Sequence, residues 1–184
     1  MASTWTSVLV VAALSIVGRP VPDWPAKPAE KWVQGEPTKL SDLHGQVVLI
    51  RFFTDTSCPY CSETAPALNA LHEEFSSRGL VVIGVYTPKP DPRPVTVKEA
   101  RAAARAYRFR FPVVIDDDWG ALRALWLDRA PDAGFTSASL LVDRHGIVRH
   151  VQEGGAYAPD AKESQAREDY RAMHDAIEKL VSEN

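Results

Sequence analysis

Two periods of hydrophobic residues alternate along the chain, and the points where the period changes mark its elements. The runs Val47–Phe53 and Leu80–Tyr86 are short, nearly continuous in apolar residues and rich in β-branched ones. Such runs are typical of strands buried on both faces of a parallel or mixed sheet. Between them, apolar residues recur every three or four positions over residues 59–77, which predicts an amphipathic helix that Gly79 ends. Together these elements predict a right-handed βαβ unit.

Shorter patterns on either side of this unit complete the expected sheet. A short strand and a helical turn precede it, at residues 31–34 and Leu40–Leu43. A helix capped by Thr96 follows, and then a strand, a helix, a hairpin that turns on residues 143–146, and a C-terminal helix over residues 161–181. The order β-βαβ-α-β-α-ββ-α predicts an α/β fold with a central mixed sheet flanked by helices on both faces.

The chain has 184 residues, 45% of them hydrophobic, which suits one ordinary core and predicts a single domain. Residues 18–30 contain four prolines and no hydrophobic period, so we expect an extended linker there. Residues 8–18 form an apolar run that matches a signal-peptide core in length and is too short for a membrane span. We therefore assign residues 1–29 to an export signal or membrane tether with its linker, and residues 30–184 to the domain. Because no Lys or Arg precedes the apolar run, an ordinary N-terminal helix or strand is the alternative.

Charge and cysteine content limit the classes of function. The net charge of −3 and the pI near 6.0 argue against a nucleic-acid binder, which usually carries a strong basic excess. Two cysteines, Cys58 and Cys61, are too few for the disulfide framework of a small secreted domain. A bridge between them closes only a short loop, so it would add little stability in the chain-entropy view. We therefore interpret the pair as a local chemical device.

The cysteine pair lies where the first buried strand passes into the predicted helix. Unpaired backbone N–H groups and the helix dipole stabilise an anion at a helix N-terminus, so the thiolate of Cys58 should form readily. Cys61 is within reach to resolve a mixed disulfide. Pro59 suits the first helical turn, where its missing N–H is not needed. The pattern predicts redox chemistry in which Cys58 attacks and Cys61 resolves.

Three other interpretations of the pair stay open at this stage. Half of a zinc site would need two further ligands, and the five histidines form neither an HxxxH pair nor a partner to a second CxxC. A static disulfide is the second alternative. A copper-binding or copper-delivery module is the third, because soft thiolates suit Cu(I). We predict no metal site and no resident cofactor.

Residues from Trp32 to Tyr157 resemble the thioredoxin superfamily and, within it, the TlpA/ResA-type redoxins. The stretch "LSDLHGQVVLIRFF" is similar to their L-x-D-L-x-G-K-V-V-L-V-x-F-W strand, and a CxxC and an x-P-x-L helix follow in the same order. Further along, "FPVVIDDD" and "SLLVDRHGIV" are similar to their F-P-V-x-x-D segment and their x-F-L-I-D-R-x-G-x-I hairpin. The resemblance implies a thioredoxin fold and a thiol–disulfide oxidoreductase that acts on protein disulfides and has an upstream redox partner. It also implies a periplasmic or otherwise exported protein, with a membrane tether or a cytoplasmic location left open.

The sequence departs from this family beside the cysteines. Thioredoxin-like proteins place a cis-proline there, and the position falls on Ser137 here. Because a non-proline cis bond costs about 2.5–4 kcal/mol, we predict that the Thr136–Ser137 bond is trans. The resemblance then implies substrate contacts from Pro59, Tyr60, Thr136 and Ser137, at a docking edge that differs from that of standard thioredoxins. The Ser137 hydroxyl either points toward the sulfurs or caps the strand.

A second departure concerns acid–base chemistry. The buried acid of many thioredoxins falls near Arg51 or Phe52 here, and neither side chain can act as a base. We expect Asp55 to cap a turn and Glu63 to face solvent, so the general base is unassigned. A peroxidatic P-x-x-x-T/S-x-x-C pattern needs proline at 51 and threonine or serine at 55, so peroxidase activity is disfavoured. Glutathione dependence is also disfavoured, because "FTSAS" lacks a T-V-P segment.

Overall fold

A six-stranded mixed sheet forms the centre of the computed structural model, which describes residues 16–25 and 27–183. The strand order is β1-β4-β3-β2-β5-β6. The central strands β2, β3 and β4 are parallel to one another, while β1, β5 and β6 each run antiparallel to a neighbour. The strands are β1 (Trp32–Gln34), β2 (Val47–Phe53), β3 (Leu80–Tyr86), β4 (Val113–Ile115), β5 (Ala138–Val142) and β6 (Val148–Glu153).

Helices cover both faces of this sheet, which confirms the predicted α/β architecture. The long helices are α1 (Pro59–Phe75), α2 (Val97–Ala106) and α4 (Ser164–Ser182). The short helix α3 (Gly120–Leu122) continues into a π-helical turn over Arg123–Leu127. The predicted cap of α2 is present, since the Thr96 hydroxyl accepts a hydrogen bond from the Glu99 amide. The left-handed Gly79 follows the short 3-10 turn after α1, at the place where the sequence predicts the helix to end.

Alternate side chains of β2 belong to two separate hydrophobic layers. Val47, Leu49 and Phe53 pack under α1, α2 and α4, whereas Val48, Ile50 and Phe52 pack toward α3 and the N-terminal segment. All seven residues of the strand are buried. The continuous apolar run in the sequence therefore has the predicted cause, which is burial of both faces of the strand.

The proline-rich segment after residue 17 is extended, but it is packed on the domain. Gly18 donates its backbone N–H to the Val148 carbonyl at 2.8 Å, and Val148 donates to the carbonyl of Arg19 at 3.0 Å. Ile16 and Trp24 are buried in the layer that contains α3. Packed residues therefore begin N-terminal to the boundary expected at residue 30, because these apolar side chains cover a sheet face that would otherwise meet water.

Most of the apolar run that we interpret as a signal or tether, residues 8–15, lies outside the described residues. Within residues 16–25 and 27–183, no helix has the length and apolar character that crossing a membrane requires.

Asp116 ties the N-terminal segment to the core. Its fully buried carboxylate accepts hydrogen bonds from the amides of Ala121 and Leu122 at 2.9 Å each, and so caps the start of α3. It also forms an ion pair with Lys27 at 2.6 Å, and the Lys27 side chain is only 7% exposed. Lys27 contacts the exposed Asp118 as well, at 2.7 Å.

Replacing Asp116 by alanine should destabilise the protein by about 3–5 kcal/mol, because one partner of a buried ion pair is removed and the other stays buried. Asp118→Ala is the matched control. It removes the same charge from the same lysine at a site whose side chain is 69% exposed, and should cost less than about 1 kcal/mol. Urea denaturation at neutral pH measures both. Equal losses of unfolding free energy in the two variants would contradict the stabilising role of the buried Asp116–Lys27 pair.

Candidate active site

Cys58 and Cys61 lie at the N-terminus of α1, directly beyond the end of β2. Cys58 is the N-cap residue, and its sulfur accepts a hydrogen bond from the Cys61 amide at 3.2 Å. Pro59 occupies the first turn, as expected. The two cysteines form a disulfide with their Cα atoms 5.3 Å apart. The sulfur of Cys58 is therefore held against unpaired helix amides, where a thiolate is stabilised.

The two cysteines differ in exposure. Cys58 is half-buried, whereas Cys61 is 3% exposed and belongs to the hydrophobic layer under α1. Tyr60, between them, is 53% exposed. An incoming sulfur can therefore reach Cys58 from solvent, while Cys61 is shielded.

The loop before β5 lies beside the cysteine loop. β5 pairs antiparallel with β2 through Arg51 and Ser139, and continuing that register by two residues places Ser137 opposite Phe53. The Thr136–Ser137 bond is trans, as predicted. The Ser137 carbonyl accepts a hydrogen bond from Gly154, and its hydroxyl accepts one from the Lys89 ammonium at 2.5 Å. The hydroxyl is thus occupied by Lys89, a partner that neither sequence alternative included.

Phe135 is a surface aromatic residue of this loop that the sequence analysis did not single out. Its side chain is 43% exposed, although its carbonyl accepts a hydrogen bond from the Trp126 indole at 2.8 Å. A Cβ at Gly154 would meet the Phe135 ring at 2.7 Å, so the missing side chain of this glycine gives the ring its place. The only signal in the sequence is an aromatic residue next to Thr136 in a polar loop.

Arg51 is a buried cation on the central strand. It is 1% exposed, and its Nη1 donates to the Ser139 hydroxyl at 3.2 Å. Ser139 and the buried Tyr157 hydroxyl share a hydrogen bond of 2.9 Å, and the guanidinium lies 5.7 Å from the Tyr157 ring centroid. Burial lowers the pKa of Arg51 below its ordinary value. The position where the family carries an acid therefore holds a positive charge.

Lys89 is a second cation near the same strand end, in the loop after β3. Its side chain is half-buried, and it reaches across to Ser137. Desolvation, with a smaller contribution from the charge of Arg51, lowers the pKa of Lys89 to about 8. No pattern in the sequence indicates this lysine, because loop residues follow no hydrophobic period.

The two carboxylates nearest in sequence are placed as expected. Asp55 accepts hydrogen bonds from the amide and hydroxyl of Ser57, so it caps the turn before Cys58. Those bonds hold the pKa of Asp55 below its ordinary value, which makes it a poor proton acceptor at neutral pH. Glu63 is exposed on α1. Neither carboxylate therefore supplies a buried base beside the cysteines.

This sheet topology, with a cysteine pair capping the first long helix, defines a thioredoxin-like protein. The chain belongs to the AhpC/TSA family, whose family model matches residues 17–151. It is 29% identical over 123 residues to the thiol-disulfide oxidoreductase ResA of Halalkalibacterium halodurans, and the aligned region covers 67% of this chain and 62% of ResA. It is 31% identical over 119 residues to the protein DipZ of Mycobacterium tuberculosis, and that aligned region covers 65% of this chain and 16% of DipZ.

A solved structure supports the fold independently. The crystal structure of a thiol:disulfide interchange protein DsbE from Chlorobium tepidum superposes with a TM-score of 0.65 at 21% identity, and the match covers 90% of this chain and 98% of that one. The expected thioredoxin fold and the resemblance to redoxins are thereby confirmed.

Replacing Lys89 by methionine should change how stability depends on pH. Between about pH 8 and the ordinary lysine pKa of 10.5, the unfolded chain binds the Lys89 proton and the folded protein does not. The stability of the parent protein should therefore rise with pH across that window relative to Lys89→Met, and its deficit should be greatest below pH 8. Urea midpoints of the oxidised proteins at pH 7 and pH 10.5 measure this, with the exposed Lys98→Met as control. If the difference in stability between the parent and Lys89→Met stays constant from pH 7 to pH 10.5, the pKa of Lys89 is not lowered in the folded protein.

Proposed function

We propose that the protein is a thiol–disulfide oxidoreductase that exchanges disulfides with protein clients through Cys58 and Cys61. The observation that carries the proposal is the position of the pair. Cys58 is half-buried and caps α1 with its sulfur on the Cys61 amide, while Cys61 is buried behind it. This asymmetry suits an attacking and a resolving thiol, and the family relatives named as thiol-disulfide oxidoreductases support it.

In the reducing direction the exchange has two steps. The Cys58 thiolate attacks one sulfur of the client disulfide, so that the client S–S bond breaks and a mixed disulfide forms with release of one client thiolate. The Cys61 thiolate then attacks the Cys58 sulfur, closes the internal disulfide and releases the second client thiolate. Two electrons pass to the client, and its two thiolates take up protons from solvent.

The opposite direction uses the same bonds in reverse, with a client dithiol as the electron donor. In either direction a second redox protein must restore the cysteine pair, so the proposal includes an upstream thiol–disulfide partner. No resident cofactor is needed, because the cysteines themselves carry the electrons.

Clients dock, in this proposal, on the surface around Cys58. Pro59 and Tyr60 are exposed beside the sulfur, and the half-buried Thr136 and the buried Ser137 form the adjoining edge. The exposed ring of Phe135 extends this surface, since exposed aromatic side chains are frequent anchors at protein interfaces.

The copper-binding alternative finds no specific support. Within the described part of the chain, no three His, Cys, Asp or Glu side chains group together as metal ligands. Peroxide reduction at Cys58 is disfavoured as well, because Arg51 and Asp55 stand where the peroxidatic pattern needs proline and a hydroxyl residue.

We propose further that the protein works outside the cytoplasm, held or exported through residues 1–29, with residues 30–184 as the catalytic domain, on which Ile16, Trp24 and Lys27 also pack. The apolar run at residues 8–18, which matches a signal-peptide core in length, supports this. Sequencing of the mature N-terminus after cell fractionation tests it, and a cytoplasmic protein with an intact N-terminus would overturn it.

Substituting each cysteine by serine should separate the two roles. Cys58→Ser should reduce insulin at the uncatalysed rate, because no thiolate attacks the disulfide. Cys61→Ser should accumulate a mixed disulfide with the client, because nothing resolves it. Turbidity of reduced insulin and non-reducing electrophoresis give the two readouts. Parental turnover by Cys58→Ser would overturn the proposed function.

Truncation of the aromatic residues on the docking surface should raise KM for a protein client. We expect Tyr60→Ala and Phe135→Ala each to raise it about 5- to 30-fold, the equivalent of about 1–2 kcal/mol of lost contact. Turnover of a small aromatic disulfide should change little, since it reaches Cys58 without docking. Val17→Ala is the matched control, an exposed apolar residue beside the 143–146 turn end of the sheet. Equal KM values in all three variants would exclude this docking surface.

A further inference from the structure

Two cations share the face of the sheet that α1 covers. Arg51 pairs across the strands with Ser139, and cross-strand partners point to the same face. Two residues earlier, Ser137 therefore points the same way, and its hydroxyl holds Lys89. Because Ser137 and Ser139 are two residues apart on one face, their partners Lys89 and Arg51 lie near each other, and the charge of Arg51 contributes to the lowered pKa of Lys89.

That face is also the one against which Cys61 is buried. Cys61, Phe53 and Tyr157 belong to one hydrophobic layer. The hydrogen bonds from Arg51 run through Ser139 to Tyr157, and the Tyr157 amide donates to the Thr64 hydroxyl at 3.2 Å. Thr64 is one helical turn after Cys61. Tyr157 therefore contacts the Arg51–Ser139 pair through its hydroxyl and, through its backbone amide, the turn of α1 that carries the resolving cysteine.

The charge on Arg51 is uncompensated in the disulfide state. Its Nη2 is buried without a hydrogen-bond partner. Within residues 16–25 and 27–183, no carboxylate forms a hydrogen bond or an ion pair with either Arg51 or Lys89. A buried charge without a partner is costly, and a nearby anion would offset that cost. The reduced cysteine pair can supply such an anion, whereas the disulfide is neutral.

We propose that Arg51, assisted by Lys89, stabilises the thiolate of the reduced cysteine pair through its charge and so makes the Cys58–Cys61 couple more oxidising. This inference rests on the proposed function and adds the direction of electron flow. A client dithiol gives two electrons to the protein disulfide and becomes a disulfide, and the protein becomes one thiolate and one thiol. One proton is released to solvent in this exchange. Stabilising the thiolate favours this direction.

Both cations act through their field, so they are positioning residues and not catalytic ones. Every titratable group on the elements packed near the cysteine pair must be considered together, because the charge of each one changes the pKa of the same thiol. Asp55 opposes the cations, because its carboxylate lies in the cysteine loop and the hydrogen bonds from Ser57 keep it ionised at neutral pH. On those elements the titratable groups include Arg51 from β2, Asp55 and Glu63 from the cysteine loop and α1, Lys89 and Arg93 from the loop after β3, Tyr107 after α2, and Tyr157 after β6.

The test compares Arg51→Met, Arg51→Lys and Lys89→Met with the parent protein. Equilibration with reduced and oxidised glutathione gives the potential, and thiolate absorbance against pH gives the thiol pKa. We expect Arg51→Met to lower the equilibrium constant for reduction of the protein about tenfold, or about 30 mV. It should raise the lowest thiol pKa by about one unit, and Arg51→Lys should restore most of both. Arg171→Met, an exposed change of the same charge on α4, should shift neither.

The outcomes distinguish failure of the proposed function from failure of the electrostatic role of Arg51 and Lys89. Loss of disulfide cycling in the parent protein would overturn the proposed function itself. Normal cycling with a parental potential and thiol pKa in both Arg51→Met and Lys89→Met would overturn only this inference. If Arg51→Met does not fold, Lys89→Met decides alone, and an unchanged potential in that variant overturns the inference. A merely structural role for Arg51 would alter the urea midpoint and leave the potential of the folded variant unchanged.

Discussion

Strand β2 is buried along its whole length, and this burial determines where the helices and the cysteine pair lie. The strand lies at the centre of the sheet, parallel to β3 and antiparallel to β5, and all seven of its residues are shielded from water. Burial on both faces requires helices on both sides, so α1 and α4 cover one layer and α3 with the N-terminal segment covers the other. The end of the same strand delivers Cys58 to the start of α1. Fold and site therefore share one element.

Arg51 is a charged residue in this buried strand, and its few hydrogen-bond partners offset only part of the cost of burying its charge. Asp116, the other fully enclosed charge discussed above, has two amides and an ammonium as partners. Arg51 has one hydroxyl and an aromatic ring, with Nη2 left over. Paired buried charges generally serve the fold, whereas an incompletely paired one beside a reactive group is a candidate for function. Asp116 therefore stabilises the fold, whereas Arg51 is the candidate for a role at the cysteine pair.

The sequence allowed the sheet, the main helices, the hairpin and the cysteine pair to be predicted, because each has a periodic or spaced signal. The position of Arg51 was also evident, since it interrupts an apolar run. Its partners were not, because Ser139 and Tyr157 lie 88 and 106 residues further on and only the fold brings them together. Lys89 and Phe135 lie in loops, where side-chain placement depends on tertiary contacts. The packing of Trp24 was missed because proline content alone suggested a free linker.

Ser137 links the docking edge to the charge behind the cysteines. Its backbone carbonyl is held by Gly154 and its hydroxyl by Lys89, so a client that approaches Cys58 along this loop also approaches the lysine. The same ammonium therefore carries a positive charge to the edge where we propose that clients dock. A departing thiolate is stabilised by a nearby positive charge, just as a resting thiolate is. The loop that replaces the family's proline therefore brings a cation to the proposed docking edge, which a hydroxyl without the lysine would not do.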